Sequence, residues 1–391
     1  MRIIIASDSF KGGLSSAEAA MHIAEGIRRI LPDAVIDVVP IADGGEGTTI
    51  ALTEALGGEL QTITVTGPMA DPVQAVIGIL PGGEAVVDMA SASGLTLVPP
   101  GKTDVLSATT YGTGQLLMAA LERGARRIYM GIGGSATNDG GLGMAQALGV
   151  RFLDGDGNPL GWRRDSLSPD YYLSGGYLME VASIDLSGVD ARLAGAEILV
   201  LCDVSNPLCG PTGASYIYGP QKGAGAAEKA ILDKGLAHLA QIVRRDLNMD
   251  LAEIPGAGAA GGLGFGLMAF TGASLQPGVD IILDASGFDD KANEADLIIT
   301  GEGRLDHQSA FGKTPAGIAR RGMALGVPVI AIGGAIEGNL EALYEAGVGA
   351  VEAGASYPMP LSEAIEKAPA LIADAAERIM RSIMLGMRMR K

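Results

Sequence analysis

Length, composition and charge limit the class of protein before any motif is considered. The chain has 391 residues, enough for two or three domains, and 48% apolar residues, enough for a large core. It carries 28 Lys and Arg against 45 Asp and Glu, and the net charge of −17 argues against a nucleic-acid or anionic-membrane partner. A small anionic substrate remains compatible, since a local nest of backbone N–H groups can outweigh the overall field.

Cysteine and histidine usage excludes further kinds of site. The two cysteines, Cys202 and Cys209, do not match a disulfide scaffold or a zinc ribbon, and three histidines do not favour a histidine-rich centre. The chain begins directly with an apolar segment, 2–6, without a charged-then-apolar leader, and no apolar run reaches the roughly 18 residues of a membrane span. We therefore expect a reduced, cytoplasmic protein that does not contact membranes.

The first elements follow a β-α-β-α order. Residues 2–6 are typical of a buried strand, and 14–31 of a helix with a capping box from Ser15 to Glu18. A second strand is predicted over 34–40, followed by a glycine-rich loop and another helix. This order predicts a parallel sheet with right-handed crossovers.

The middle of the chain has a different pattern. Residues 61–80 alternate between apolar and polar, with Pro68 and Pro72 as interruptions, which predicts a β-hairpin or meander. The segment 161–178 holds the only Trp and three of the nine Tyr. It is interpreted either as a surface flap or oligomer contact, or as a structureless excursion.

The β-α alternation returns near the C-terminus. The predicted elements are strand 296–300, helix 315–325, strand 328–332, helix 341–346, strand 349–353 and a terminal helix over 361–384. We therefore predict an α/β protein with two α/β domains around a cleft. One is Rossmann-like and discontinuous, with a parallel sheet built from both chain ends (1–65 and 290–391). The other, 66–289, is inserted, with a mixed sheet and a glycine-rich phosphate loop.

The most informative motif is GIGGSATNDGG at 131–141. It follows an apolar strand-like run, 127–130, and precedes a helix-like segment, 142–148. Glycines let backbone N–H groups converge on one point, and the start of a helix adds a partial positive charge. With short polar side chains and the carboxylate of Asp139, the loop is suited to hold phosphate. A tight turn in a glycine-rich chain is the alternative.

Two apparent nucleotide signatures fail on context. GAGAAG at 256–261 matches a dinucleotide fingerprint in letters, but no convincing strand precedes it. The same segment has Ala259 where ribokinase-like sugar kinases carry their catalytic Asp. GKT at 312–314 resembles the end of a P-loop, but the first glycine of that pattern would fall at His307.

The loop 131–141 is one of several that combine glycine, charged residues and small hydroxyl side chains, and most of these loops follow a predicted strand. They are 8–12, 42–48, 91–94, 111–114, 131–141, 202–207 and 301–306. Open α/β sheets bind ligands at the carboxyl ends of their strands. Such a set is typical of a site that handles phosphate, a metal and a small polar substrate, as phosphoryl transfer requires.

At these loops the chain resembles the bacterial glycerate kinase family, of the glycerate 2-kinase type. The matching motifs are SDSFKG (7–12), PIADGGEGT (40–48), YGTG (111–114), GIGGSATNDGG (131–141), GPQKGA (219–224), PGAGAAGGLG (255–264) and GEGRLDHQSAFGKTPAGIA (301–319). The resemblance runs from Met1 to about residue 380.

The resemblance implies an activity and a fold. The activity is ATP- and Mg²⁺-dependent phosphorylation of D-glycerate, usually at the 2-hydroxyl, which gives 2-phosphoglycerate. The fold is two α/β domains around a cleft, one of them inserted. Phosphorylation at the 3-position, another small hydroxy-acid kinase and, more remotely, a non-catalytic binding protein remain alternatives. The oligomeric state is left open.

Three departures from the family pattern stand out. Ser7 replaces the usual Pro, Gln115 follows YGTG where Glu is usual, and 161–178 replaces a short glycine-rich stretch. The third departure concerns one wall of the expected cleft, and the second removes the carboxylate that the family usually has at that position.

With the resemblance, we assign roles to nucleotide and metal. Backbone N–H groups and hydroxyls would hold the phosphates of ATP; the residues concerned are Gly133, Gly134, Ser135, Thr137, Asn138 and Gly140. Asp139 would bind Mg²⁺ directly or through water, or else cap the following helix. Glu46 and Glu302 are further metal candidates.

Other residues are assigned to catalysis and to the substrate. Asp43 is the first choice for the general base, with Asp203 in reserve as base or metal ligand. Arg304 would clamp the glycerate carboxylate, or would only pair with Glu302 or Asp306. Lys11 would neutralise phosphate or carboxylate charge. The substrate-binding set is Asp8, Ser9, Lys11, Arg304 and Lys313.

Overall fold

The structure, a computed structural model, describes residues 1–10, 12–39, 41, 47–161, 172–310 and 314–389. Predictions on Lys11, Asp43, Glu46 and Lys313, and on most of the aromatic segment 161–178, lie outside the described residues.

The strands have the following bounds in chain order: β1 (Arg2–Ser7), β2 (Val35–Val38), β3 (Glu59–Thr66), β4 (Pro72–Ile79), β5 (Ala85–Asp88), β6 (Arg127–Gly131), β7 (Arg151–Leu153), β8 (Ser183–Asp185), β9 (Glu197–Leu201), β10 (Ser274–Gln276), β11 (Leu297–Leu305), β12 (Val329–Ile336) and β13 (Val348–Ala353). The helices are α1 (Ser16–Ile30), α2 (Thr48–Ala55), α3 (Ala90–Ser93), α4 (Tyr111–Glu122), α5 (Leu142–Ala147), α6 (Ala214–Tyr218), α7 (Ala226–Leu247), α8 (Ala259–Thr271), α9 (Gly278–Ala285), α10 (Phe288–Ala292), α11 (Thr314–Leu325), α12 (Glu341–Glu345), α13 (Leu361–Glu366) and α14 (Ala368–Met389).

The first of two compact units combines 1–43 with 279–391. Its sheet has the order β13-β12-β11-β1-β2, and every neighbouring pair is parallel. This is one of the common orders of doubly wound α/β folds. The prediction of a parallel sheet built from both chain ends is confirmed.

Burial and close helix packing explain how this unit holds together. Ile3, Ile4 and Ile5 of β1 are fully buried, as expected for a strand with neighbours on both sides in a parallel sheet. A Cβ at Gly26 would lie 2.0 Å from the carbonyl oxygen of Ala373, so only glycine lets α1 approach α14 this closely. The predicted capping box at Ser15 is also present at the start of α1.

The second unit, 44–278, contains a mixed sheet in the order β10-β9-β6-β5-β4-β3. β3 and β4 form the predicted antiparallel hairpin, and β4 pairs antiparallel with β5. β5, β6, β9 and β10 are parallel to one another, so their carboxyl ends meet at one edge. The loop 131–141 leaves the sheet at this edge. A second, two-stranded sheet pairs β7 with β8.

The limits of these units differ from the predicted domain boundaries near 65 and 290. The unit limits fall after 43 and after 278. β3 pairs along its whole length with β4, which ties 59–66 to the inserted sheet. Val279 lies against Gly317 of α11, which ties α9 to the first unit. That the two units act as separate domains stays a prediction.

Two C-terminal elements differ from the sequence prediction for identifiable reasons. The strand predicted over 296–300 continues to Leu305, because Glu302 and Arg304 pair with Gly333 and Ala335 of β12. The single helix predicted over 361–384 is divided into α13 and α14. Pro369 follows the first residue of α14, and proline disfavours helical geometry in the residue before it.

Two sequence expectations on cysteines and membranes can be compared with the structure. Cys202 and Cys209 are both free cysteines. Among the described helices, none is long and apolar enough to cross a membrane.

Candidate functional site

The loop 131–141 lies between β6 and α5, in the predicted strand–loop–helix arrangement. Its first half reaches the surface: Gly133 is half-buried and Gly134 is exposed, with φ +79°. Across the described residues, no oxygen accepts a hydrogen bond from the amides of Gly133 and Gly134. These two N–H groups are therefore available to an anionic ligand at the carboxyl edge of the sheet.

The second half of the loop points inward. Thr137, Asn138 and Asp139 are 0% exposed, and the amide of the buried Gly140 donates to the carbonyl of Gly261. A ligand at the surface of this loop would therefore meet Gly133 and Gly134 and not the other predicted phosphate-binding residues. Ser135 is also buried, and its hydroxyl accepts a hydrogen bond from inside the protein.

That inner partner is Lys222, which the sequence analysis did not single out. Its Nζ donates to Oγ of Ser135 and to the carbonyl oxygen of Thr137, both at 2.6 Å, and the residue is 1% exposed. Burial lowers the pKa of Lys222 from its ordinary 10.5 to about 7, although the charge of Asp139 opposes the shift. The available signal was a lone lysine inside the quoted GPQKGA motif.

The pKa of Lys222 predicts a pH dependence of stability. Between about pH 7 and 10.5 the unfolded chain keeps the lysine proton that the folded chain has lost, so the free energy of unfolding should rise with pH. This residue contributes at most about 1.4 kcal/mol per pH unit. Urea unfolding of wild type and Lys222→Met at pH 7, 8 and 9 should show wild type gaining stability relative to the variant. If the free energies of unfolding of wild type and variant changed equally with pH, the lowered pKa of Lys222 would be contradicted.

Asp139 occupies a structural position. Its Oδ2 accepts from the amide and hydroxyl of Thr110 and from the amide of Gly143, and its Oδ1 accepts from the amide of Gly141. Burial raises the pKa of Asp139, and these hydrogen bonds act in the opposite direction. With both oxygens engaged, the geometry favours the helix-capping alternative over a direct metal contact.

The segment 256–264 packs against the backbone of the loop at 137–140. Ala260, Gly261 and Gly262 all have left-handed backbone conformations, with φ of 53°, 71° and 86°. A Cβ on Gly261 would lie 2.0 Å from the carbonyl oxygen of Thr137, and one on Gly262 would lie 3.0 Å from Cα of Gly140. The glycines of this motif are explained by close backbone packing against the loop.

Two carboxylates lie at the same edge of the sheet. Asp88 ends β5, next to Gly131 in the strand register, and is 4% exposed; it accepts from the amides of Ser91 and Thr49 at 2.9 and 3.3 Å. Sequence reasoning missed Asp88, although it directly follows a buried apolar run. Asp203 follows β9, is exposed, and accepts from the amide of Gly278 at 2.8 Å.

In the first unit, a second group of polar residues lies where β1 and β11 end. Asp8 accepts from the amide of Ser9 at 2.6 Å and from the hydroxyl of Thr314 at 3.1 Å. Its own amide donates to the carbonyl of Gly301. Thr314, at the start of α11, was not among the predicted site residues, because only the fold brings it to Asp8.

Arg304 and Glu302 lie on β11, next to this set. The Arg304 side chain is 60% exposed and pairs with Asp306 at 3.1 Å and with Glu337 at 3.3 Å. The ion pair with Asp306 is the alternative named in the sequence analysis, and binding of a substrate carboxylate by Arg304 stays a prediction. Glu302 is buried.

The chemistry of these residues fits phosphate more clearly than metal. The amides of Gly133 and Gly134, which have no acceptor among the described residues, and the buried amine of Lys222 are groups that suit an anion. In the part of the chain that is described, no group of three or more His, Cys, Asp or Glu side chains could hold a metal ion.

The doubly wound sheet and the glycine-rich loop that follows a parallel strand define an α/β protein of a kind that binds phosphate compounds, and the comparisons with known proteins name a family of this kind. The model of the glycerate kinase family matches residues 3–384. Glycerate kinase of Bacillus subtilis (strain 168) is 46% identical over 99% of this chain and 98% of its own. Glycerate 2-kinase of Escherichia coli (strain K12) is 44% identical over 99% of both chains.

A solved structure supports the same assignment. A crystal structure assigned as glycerate kinase 2 from Salmonella typhimurium LT2 has a TM-score of 0.86 and 42% identity, and the match covers 99% of each chain. This chain belongs to the glycerate kinase family, and it is a kinase.

Proposed function

We propose that this protein transfers the γ-phosphoryl group of ATP to D-glycerate, at the 2-hydroxyl. Family membership and the similarity to a glycerate 2-kinase support the reaction. The main structural support for the site is that the amides of Gly133 and Gly134 have no acceptor among the described residues. They lie at the carboxyl edge of the second unit's parallel strands. Amides at such an edge suit the oxygens of a phosphate.

In this proposal the loop holds the nucleotide and other residues handle the acceptor. Gly133 and Gly134 donate to phosphate oxygens, while Thr137, Asn138 and Gly140 hold the loop from inside. Asp8 and Ser9 bind glycerate at the carboxyl end of β1. Asp43 remains our choice for the base that accepts the 2-hydroxyl proton as the phosphoryl group arrives.

Metal binding is proposed from the chemistry of ATP and of carboxylates alone. Mg²⁺, when bound with ATP, would neutralise charge on the phosphates. Hard carboxylate oxygens suit this ion, and Glu46, Asp88 and Asp203 are our candidates. Asp139 is proposed as a structural residue, because its oxygens are already engaged by Thr110 and by the start of α5.

A phosphorus NMR product assay tests the proposal. With D-glycerate, ATP and Mg²⁺, wild type should give 2-phosphoglycerate, and Asp43→Asn should lower the rate by about 10²- to 10⁴-fold, because it removes the proton acceptor. Asp33→Asn, an exposed aspartate in the turn after α1, is the matched control and should keep the wild-type rate.

The other outcomes of this assay separate parts of the proposal. A 3-phosphoglycerate signal would agree with the family assignment but would show that the 3-hydroxyl, and not the 2-hydroxyl, is phosphorylated. An unchanged rate in Asp43→Asn would remove that residue as the base. If the folded wild type made no glycerate-dependent product, the proposed substrate would be wrong, and a panel of small hydroxy acids would be assayed next.

A further inference from the structure

The burial of Lys222 requires an explanation in its own right. Lysine is almost never fully buried unless it is paired, because an ammonium loses its hydration there. The two hydrogen bonds that Lys222 donates go to neutral oxygens, those of Ser135 and Thr137. Asp139 favours the charged form, but its oxygens are already occupied by other donors. In its protonated form, Lys222 therefore places positive charge against the buried side of the loop.

The backbone around Lys222 holds the ammonium in place. The residue ends a short 3₁₀ turn, Pro220–Lys222, and is followed by Gly223 with φ +89°. A Cβ at Gly223 would lie 2.5 Å from the hydroxyl of Thr103, so this turn is closely packed. A side chain anchored in this way can position a loop without rearranging when a ligand binds.

Residues 93–95 also form hydrogen bonds with the loop that Lys222 contacts. The amide of Leu95 donates to the carbonyl of Gly134, and the amide of Ala136 donates to the carbonyl of Ser93, both at 2.9 Å. In these bonds the carbonyl of Gly134 accepts and the amide of Ala136 donates, while Lys222 occupies the Ser135 hydroxyl and the Thr137 carbonyl. The amides of Gly133 and Gly134 have no acceptor among the described residues, and Gly134 is exposed.

We propose that Lys222 is a positioning residue for the nucleotide. It joins the Ser135 hydroxyl to the Thr137 carbonyl from inside the loop, and its protonated form adds positive charge on the buried side of the loop. The inference rests on the proposed function, since it takes phosphate of ATP as the ligand of the loop. Lys222 does not touch the substrate; it acts through the loop.

Steady-state kinetics of Lys222→Met and Lys222→Arg test this inference. Methionine has a similar length without charge, and its KM for ATP should rise about 10- to 100-fold, as expected for the loss of charge-assisted hydrogen bonds. The KM for glycerate should change by less than about threefold, because the loop meets only the nucleotide. Arginine keeps the charge and should recover part of the loss. Lys234→Met, an exposed lysine on α7, is the matched control.

Ser135→Ala keeps the test valid if Lys222→Met does not fold. It removes one acceptor of the ammonium without altering any charge, and the KM for ATP should rise by about 2- to 10-fold. An unchanged KM for ATP in folded Lys222→Met, or in Ser135→Ala if the first variant does not fold, would overturn the inference. Equal rises in the KM for ATP and the KM for glycerate would also overturn the inference. The proposed function fails separately, if wild type itself does not phosphorylate glycerate.

Discussion

Replacement of Gly261 by alanine is expected to destabilise the second unit by more than about 3 kcal/mol. The new Cβ would lie 2.0 Å from the carbonyl oxygen of Thr137 and 2.7 Å from Cα of Asn138. Both contacts are with backbone, which cannot rotate away as a flexible side chain can. Alanine is also disfavoured at φ +71°. Urea unfolding of the purified variant measures the effect.

Gly272 provides a matched control at the end of the same helix, α8. It also has a left-handed conformation, with φ +69°, but nothing lies within 4 Å of the position that a Cβ would take there. Gly272→Ala should therefore cost only the conformational strain, about 1–2 kcal/mol. If Gly261→Ala were no less stable than Gly272→Ala, the close packing of segment 256–264 on the loop would be refuted.

Replacement of Asp139 by alanine is expected to lower the free energy of unfolding by about 3 kcal/mol or more. The change leaves the amide and hydroxyl of Thr110 and the amides of Gly141 and Gly143 buried without their acceptor, at about 1–3 kcal/mol for each unsatisfied group. It also removes the negative charge that favours protonated Lys222. Unfolding in urea, repeated at several Mg²⁺ concentrations, measures this loss.

The same experiment separates the structural role of Asp139 from a metal role. The loss of stability should be the same with and without Mg²⁺. Asp250→Ala is the control, because its side chain is 66% exposed and pairs only at the surface with Arg244, so the change should cost less than about 1 kcal/mol. A variant of wild-type stability that needs more Mg²⁺ for activity would instead support the metal interpretation.

Local sequence patterns accounted for much of the fold. The apolar run 2–6, the capping box at Ser15 and the alternation over 61–80 each produced the predicted element. These patterns work because they encode which face of an element is buried and where a helix begins, and both are properties of neighbouring residues. The strand–loop–helix around 131–141 was predicted for the same reason.

Predictions that depended on distant contacts were less complete. The extension of β11 to Leu305 follows from its pairing with β12, which the predicted loop at 301–306 did not anticipate. The unit limits after 43 and 278 follow from strand pairing and helix packing across the chain. A single sequence shows which segments form strands, but not where a partner strand will prolong one of them.

For the site, the family motifs, the glycine loop and its position after a strand could be read from the sequence. The accessibility of the loop residues follows from the tertiary structure, because Gly133 and Asp139 look equally available in the sequence but only Gly133 is accessible. It also placed Lys222 beneath Ser135, although 87 positions separate them. Accessibility and charge burial are set by which segments pack together, and that packing involves residues far apart in the chain.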